Sequence, residues 1–295
     1  MDRGQSARSG IVNMLLSELA AVATVAIYIV AHSSGQPKRR QFIIRIILVC
    51  AASWITEESC IRLYDFYDYS TNWVLFLAHL PLLVIVIWPI IVHSAWNLAS
   101  QIVQPGCSRL VPLTAAAIVL TDASLIEPVG VQTGLWSWNQ PGLFDVPPIG
   151  IFGWAYFAFL CVLFFEQRKR RNGAKWVNLL ILIVPVIGTH MLLLITWWGA
   201  FRWFKISIDP MLAAGIAWAL SLSLVSVILK HRTGTRIKRK TLLLRLLGAL
   251  LLFTWLALNS NESALLIVYA TAFAPPYLTL MAQQYFPASP ATSGA

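Results

Sequence analysis

Carboxylates, tyrosines and tryptophans crowd two stretches of this sequence. The first runs from Glu57 and Glu58 through Tyr64, Asp65, Tyr67, Asp68 and Tyr69. The second runs from Asp122 through Glu127-Pro128 to Gly134-Leu-Trp136-Ser-Trp138, then Val146-Pro-Pro148 and Gly153-Trp154. Both are flanked by long apolar runs, so these acids lie in or beside a membrane, where carboxylates are costly and commonly functional. A carboxylic acid kept neutral by apolar surroundings can protonate an unactivated alkene. The product is a tertiary carbocation, which aromatic faces stabilise by about 0.5–2 kcal/mol each. Capture by water gives hydration, capture by a second double bond gives cyclisation, and loss of a proton gives isomerisation.

Other membrane chemistries lack their residues. The five histidines (His32, His79, His93, His190 and His231) form no HxxxH or HxxHH cluster of the kind a di-iron site needs. His79 and His93, both assigned to the third apolar run, would lie about 21 Å apart along one helix. GxSxG, HExxH, GxGxxG and P-loop patterns are missing. No lysine falls inside an apolar run to form a Schiff base, and no DDxxD pattern binds a magnesium diphosphate. The four cysteines form no CxxC pair and read as small buried apolar residues. No cofactor or metal is implied. Of the 13 tryptophans, Trp73, Trp96, Trp176, Trp197, Trp198 and Trp203 sit near the ends of apolar runs, as interfacial belts do. Trp136 and Trp138 instead accompany Glu127.

The elements that must hold these residues are helices. The chain has 295 residues, 58% hydrophobic and 12% charged. Apolar runs long enough to cross a bilayer, which takes roughly 20 residues, recur without the alternation of barrel strands. The expected architecture is an all-α, polytopic membrane bundle. Its spans fall near 11–32, 41–56, 73–97, 109–127, 149–166, 176–199, 208–229, 241–258 and 263–282. That makes nine, with seven or eight if the short second and polar fourth are discounted. Residues 1–286 read as one transmembrane domain and 287–295 as a disordered tail. Asp122 and Glu127 stand about 140° apart on a helix. Pro128 is expected to end the fourth span and leave Glu127 at its mouth. A deep aspartate such as Asp122 is either functional or paired with a neighbouring helix.

The net charge of +10 does not point to nucleic acid. Lys38–Arg40, Arg168–Arg171 and Lys230–Lys240 fill alternate loops, with Arg45 and Arg245 just beyond two of them. By the positive-inside rule these loops are cytoplasmic, the N-terminus is outside and the C-terminus is inside. The two acidic segments then share the outer face.

At these segments the chain resembles the carotenoid biosynthesis protein family, whose characterised members are carotenoid hydratases. The matching residues are the acid at Glu57–Glu58, Tyr67-x-Tyr69, Pro81-Leu-Leu and Trp88-Pro89. A second set is Asp122, Glu127-Pro128-Val, Gly134-Leu-Trp136-Ser-Trp138, Gly142, Val146-Pro147 and Phe152-Gly153-Trp154. Together they cover about residues 54–156. The resemblance implies a cofactor-independent prokaryotic inner-membrane enzyme that adds water to the terminal double bond of an acyclic carotenoid. Its partners would be this long isoprenoid and membrane lipids. Asp122 or Glu127 would donate the proton, and Glu58 would position or deprotonate water. Glu57, Tyr67, Tyr69, Trp88, Trp136, Trp138 and Trp154 would line the substrate site. A proton-initiated isoprenoid cyclase or isomerase, and a lipid-binding protein or transporter, are the competing readings.

Overall fold

The computed structural model describes residues 3–34, 39–171, 175–231, 237–259 and 264–285. The tail at 287–295 lies outside the described residues, as do several of the basic loop positions. In chain order the elements are α1 (Arg3–Ser33), α2 (Arg39–Tyr64), β1 (Tyr67–Tyr69), β2 (Phe76–Leu77), β3 (Leu80–Pro81), α3 (Leu82–Ile102), α4 (Val111–Gln132) and β4 (Trp136–Trp138). They continue with α5 (Pro148–Arg171), α6 (Val184–Gly199), α7 (Pro210–His231), α8 (Arg239–Asn259), α9 (Ala264–Thr271) and α10 (Ala274–Tyr285). Eight helical segments among the described residues are long and apolar enough to cross a membrane, with α9 and α10 together forming the last. The expected helical membrane bundle is therefore the observed one. The helix outside the eight is α2, whose apolar face is interrupted by Arg39, Arg40, Arg45, Glu57, Glu58 and Arg62.

Helices α3, α4 and α5 pack side by side at the centre, with α2 and α6 on one flank. Small residues allow the close approach: Ala95, Ala99, Ala115, Ala123, Ala158 and Cys161 are all fully buried there. On the other flank α7 packs against α9 and α10, and Leu125 and Val129 of α4 meet Ala213, Leu256, Leu266 and Tyr269. The outward faces carry exposed leucine, isoleucine and valine, as lipid-facing surfaces do.

Two of the departures from the expected boundaries bear on the site. The third helix starts at Leu82, because residues 73–81 turn back as the hairpin β2–β3. His79 consequently sits in that hairpin's turn and not on a helix with His93. The fourth helix continues through Pro128 to Gln132. Proline cannot donate to the carbonyl four residues earlier, and the Tyr269 hydroxyl donates to that freed carbonyl, Ser124 O, at 2.7 Å. Pro89 in α3 is accommodated the same way, with Ser53 Oγ donating to Ile85 O at 3.4 Å. Trp73 and Trp96 also make specific contacts within the protein. Trp73 is buried and donates to Leu135 O, while Trp96 donates to Glu166 at 2.9 Å. Trp198 and Trp203 are exposed, as belts require.

Candidate active site

The end of α4 explains how the second acidic segment is aimed. Gly134, at φ +74°, closes the helix: its N–H donates to Val131 O and that of Leu135 to Gly130 O. This six-to-one and five-to-two pair is a glycine-terminated helix stop. The chain then runs straight into β4. Strand β4 pairs antiparallel with β1, placing Tyr67 opposite Trp138 and Tyr69 opposite Trp136. Because side chains alternate along a strand, these four aromatics share one face. Their ring pairs lie at 4.6 Å (Tyr67–Trp138) and 6.0 Å (Tyr69–Trp136). The intervening Asp68 and Ser137 face outward and are exposed. The two acidic segments thus meet at one end of the bundle, as their shared side demanded.

Under this ribbon stand two carboxylates, each ringed by aromatic donors. Glu127, only 3% exposed, accepts from Trp136 Nε1 (2.9 Å), Trp138 Nε1 (3.0 Å) and Trp154 Nε1 (2.7 Å). Glu57 accepts from the Tyr67 hydroxyl, from the Tyr69 hydroxyl at 3.5 Å and from Trp88 Nε1 at 3.0 Å. Trp88 and Trp154 stack at 4.0 Å and join the two rings of donors. Burial, then the facing carboxylate charge of Glu57, push the Tyr67 and Tyr69 hydroxyls well above the usual tyrosine range, and Glu127 adds to this at Tyr69. Both tyrosines therefore remain protonated donors.

Two glycines make room for the indoles. A Cβ on Gly130 would fall 2.1 Å from the Trp136 ring, and one on Gly150 would fall 2.5 Å from Trp138. Pro148 starts α5 just before this slot, and Trp154 follows one turn later.

The carboxylates and their donors line a cavity of 590 Å³ that runs between α1, α2, α3, α4, α5, α8 and α10. Its wall is overwhelmingly apolar. Glu57, Tyr67, Tyr69, Trp88, Glu127, Trp136, Trp138 and Trp154 sit at one end. Asp122 lines it farther along, with Arg245, Ser94 and Tyr277. Asp122 and Glu127 thus reach the same cavity, whose wall wraps around α4. Glu58 does not reach it. Adjacent helical residues point about 100° apart, and Glu58 faces the hairpin, taking Arg62 Nε at 2.6 Å, His79 Nδ1 at 2.7 Å and His79 N at 3.1 Å. Glu127 is buried inside the bundle and does not lie at the mouth expected of it.

Asp122 is ion-paired. Arg245 Nη2 reaches both its oxygens at 2.6 and 2.7 Å and also meets the Tyr277 hydroxyl at 2.7 Å, while Nη1 donates to Ser94 Oγ at 2.8 Å. Arg245 therefore does not belong with the loop charges, where its position in the sequence put it. Its setting, Leu-Leu-Leu-Arg-Leu-Leu, is the signal that it lies within a span and needs a buried partner. His190 of α6, bonded to Ser59 (2.8 Å) and Tyr64 (2.9 Å), is a further polar cluster that spacing could not reveal.

Fold and site together define a multi-pass membrane protein whose helices enclose an apolar cavity ending in two aromatic-caged carboxylates. Residues 11–221 match the sequence profile of the carotenoid biosynthesis protein family. The chain belongs to that family and has a role in carotenoid biosynthesis. The match extends the resemblance at residues 54–156 to most of α1, all of α2–α6 and about half of α7. No curated protein and no solved structure matches the chain.

Proposed function

We propose that this protein is a carotenoid hydratase, adding water to the terminal double bond of an acyclic carotenoid held in the cavity. The observation that carries the reading is the set of partners around Glu127. Indole N–H groups donate and cannot accept. A proton on Glu127 therefore has no taker among Trp136, Trp138 and Trp154, and the open direction is the cavity where an alkene would lie. In this reading Glu127 transfers its proton to one alkene carbon, and the π pair forms the new C–H bond. The tertiary cation left on the neighbouring carbon faces Trp and Tyr rings, each worth about 0.5–2 kcal/mol. Water adds to that carbon through an oxygen lone pair and gives up a proton to Glu57. Glu57 suits this role better than Glu58, since it lines the cavity and its tyrosine partners can both donate and accept. Tyr69, which feels both carboxylates, supports return of that proton to Glu127. Asp122 has its oxygens taken up by Arg245 and Tyr277, and Glu58 anchors the hairpin.

We also infer a single transmembrane domain in a prokaryotic inner membrane. With α2 crossing beside the eight apolar segments, its N-terminus is outside and its C-terminus cytoplasmic, because Arg39 and Arg40 at the start of α2 and Lys238–Lys240 at the start of α8 lie at the end of the bundle away from the carboxylates.

The test is expression in a host that makes acyclic carotenoids, grown in H₂¹⁸O. The expected product is heavier than substrate by one water and carries the heavy oxygen. A product of unchanged mass and altered retention would replace this reading with a cyclase or isomerase. Co-purified, unaltered carotenoid without turnover would replace it with a binding protein.

A further inference from the structure

A run of buried and half-buried polar side chains leads from the cavity wall to the opposite end of the bundle, and the chemistry above does not use it. At the cavity, Arg245 holds Asp122, Tyr277 and Ser94. The Tyr28 hydroxyl of α1 lies beside Ser94 and meets His93 Nδ1 of α3 at 2.8 Å. The His93 ring packs edge-on against His32 at 5.1 Å. His32 Nδ1 faces Tyr28 O at 3.3 Å and its Nε2 faces Asn97 Nδ2 at 3.4 Å. Asn97 donates to Thr241 Oγ1 at 3.2 Å and Gln101 donates to the same oxygen at 3.0 Å. Gln101 Oε1 finally accepts from Lys238 N at 2.6 Å, where Lys238, Arg239 and Lys240 are exposed. The ends of α1 and α3 and the start of α8 meet here, so the run spans the distance from that face to the cavity.

We propose that this run is a water path, feeding the cavity from the face that bears Lys238–Lys240. It rests on the hydratase reading for its purpose: each turnover consumes one water inside a cavity whose wall is mostly apolar. The carboxylate end is roofed, with Tyr67, Trp73, Glu127 and Trp154 each under 9% exposed. The polar run is the opposite. Every step offers a passing water a donor or acceptor, which removes the cost of carrying it through hydrocarbon. At the junction with the cavity, Arg245 Nε is buried and has no acceptor among the described residues. It is a donor that a passing water can satisfy.

Access can be read without turnover. Ser94→Cys is placed in a chain whose four native cysteines are replaced by alanine, in vesicles of defined orientation. Silver ion, close to water in size, is added to one face, and the remaining thiol is counted after denaturation. Silver on the Lys238–Lys240 face is expected to consume the introduced thiol. His93→Phe or Tyr28→Phe is expected to slow this about tenfold or more, while His93→Gln, which keeps a hydrogen-bonding side chain, reacts as fast as the parent. Reaction from the opposite face alone, or a rate indifferent to both phenylalanine variants, would overturn the path. Because labelling needs no catalysis, its failure and a failure of the ¹⁸O experiment are separate results.

Discussion

Glu127 is surrounded by three uncharged groups that give hydrogen bonds and cannot take one, and this combination distinguishes it from Glu57, Glu58 and Asp122. Glu57 has amphoteric tyrosine partners, Asp122 has a guanidinium, and Glu58 has an exposed arginine and histidine. The contrast predicts how substitutions separate. Glu127→Gln keeps the shape and loses the proton, so hydration should fall by about 10²- to 10⁴-fold. The carotenoid should still co-purify, because the aromatic walls remain. Product formation and bound pigment, measured on one preparation, check both halves. Full activity in Glu127→Gln would remove this residue as the donor. Of these residue-scale features, the acids and the indoles are legible in the sequence. Which indole serves which acid is not.

At the scale of elements, the ribbon of β1 and β4 is what converts two separate motifs into one site. Its alternation is legible in Tyr-x-Tyr and Trp-x-Trp, which both place aromatics two residues apart. Their pairing is not, since α3 and α4 separate β1 from β4 along the chain. The glycine slots are equally tertiary. Gly150 reads as a helix residue of low propensity until the Trp138 ring is seen 2.5 Å from where a Cβ would stand. Gly150→Ala should therefore push Trp138 away from Glu127 and cost most of the activity, while circular dichroism shows unchanged helix. Gly215→Ala, on α7 with nothing within 4 Å, is the matched control and should leave activity and helix as they were.

Across the whole molecule, the Asp122–Arg245 pair ties α4 to α8, 123 residues away. A buried pair stabilises little against a well-packed apolar replacement, but removing one partner strands the other. Asp122→Ala or Arg245→Ala should each cost about 3–5 kcal/mol, read as a lowered thermal midpoint in detergent. Asp122→Leu combined with Arg245→Met should recover much of that loss. If the single variants unfold no more readily than the parent, the pair does not bear on the bundle's stability. The double variant also separates structure from chemistry. Hydration that survives in it would leave the proton donor at the other end of the cavity, with Glu127.

The sequence by itself determined the helical bundle, the gathering of both acidic segments on one side, and the set of aromatics that would serve them. These follow from hydropathy, loop charge and short-range spacing, which act locally along the chain. Only the tertiary structure decided that Glu57 and not Glu58 faces the cavity, that α4 runs on through Pro128, and that Asp122 is held by Arg245. Neighbouring helical residues point about 100° apart, so the choice between two adjacent acids is made by packing. A proline is tolerated where a distant hydroxyl, here that of Tyr269, takes up the freed carbonyl. A buried charge is explained by a partner that no local pattern names.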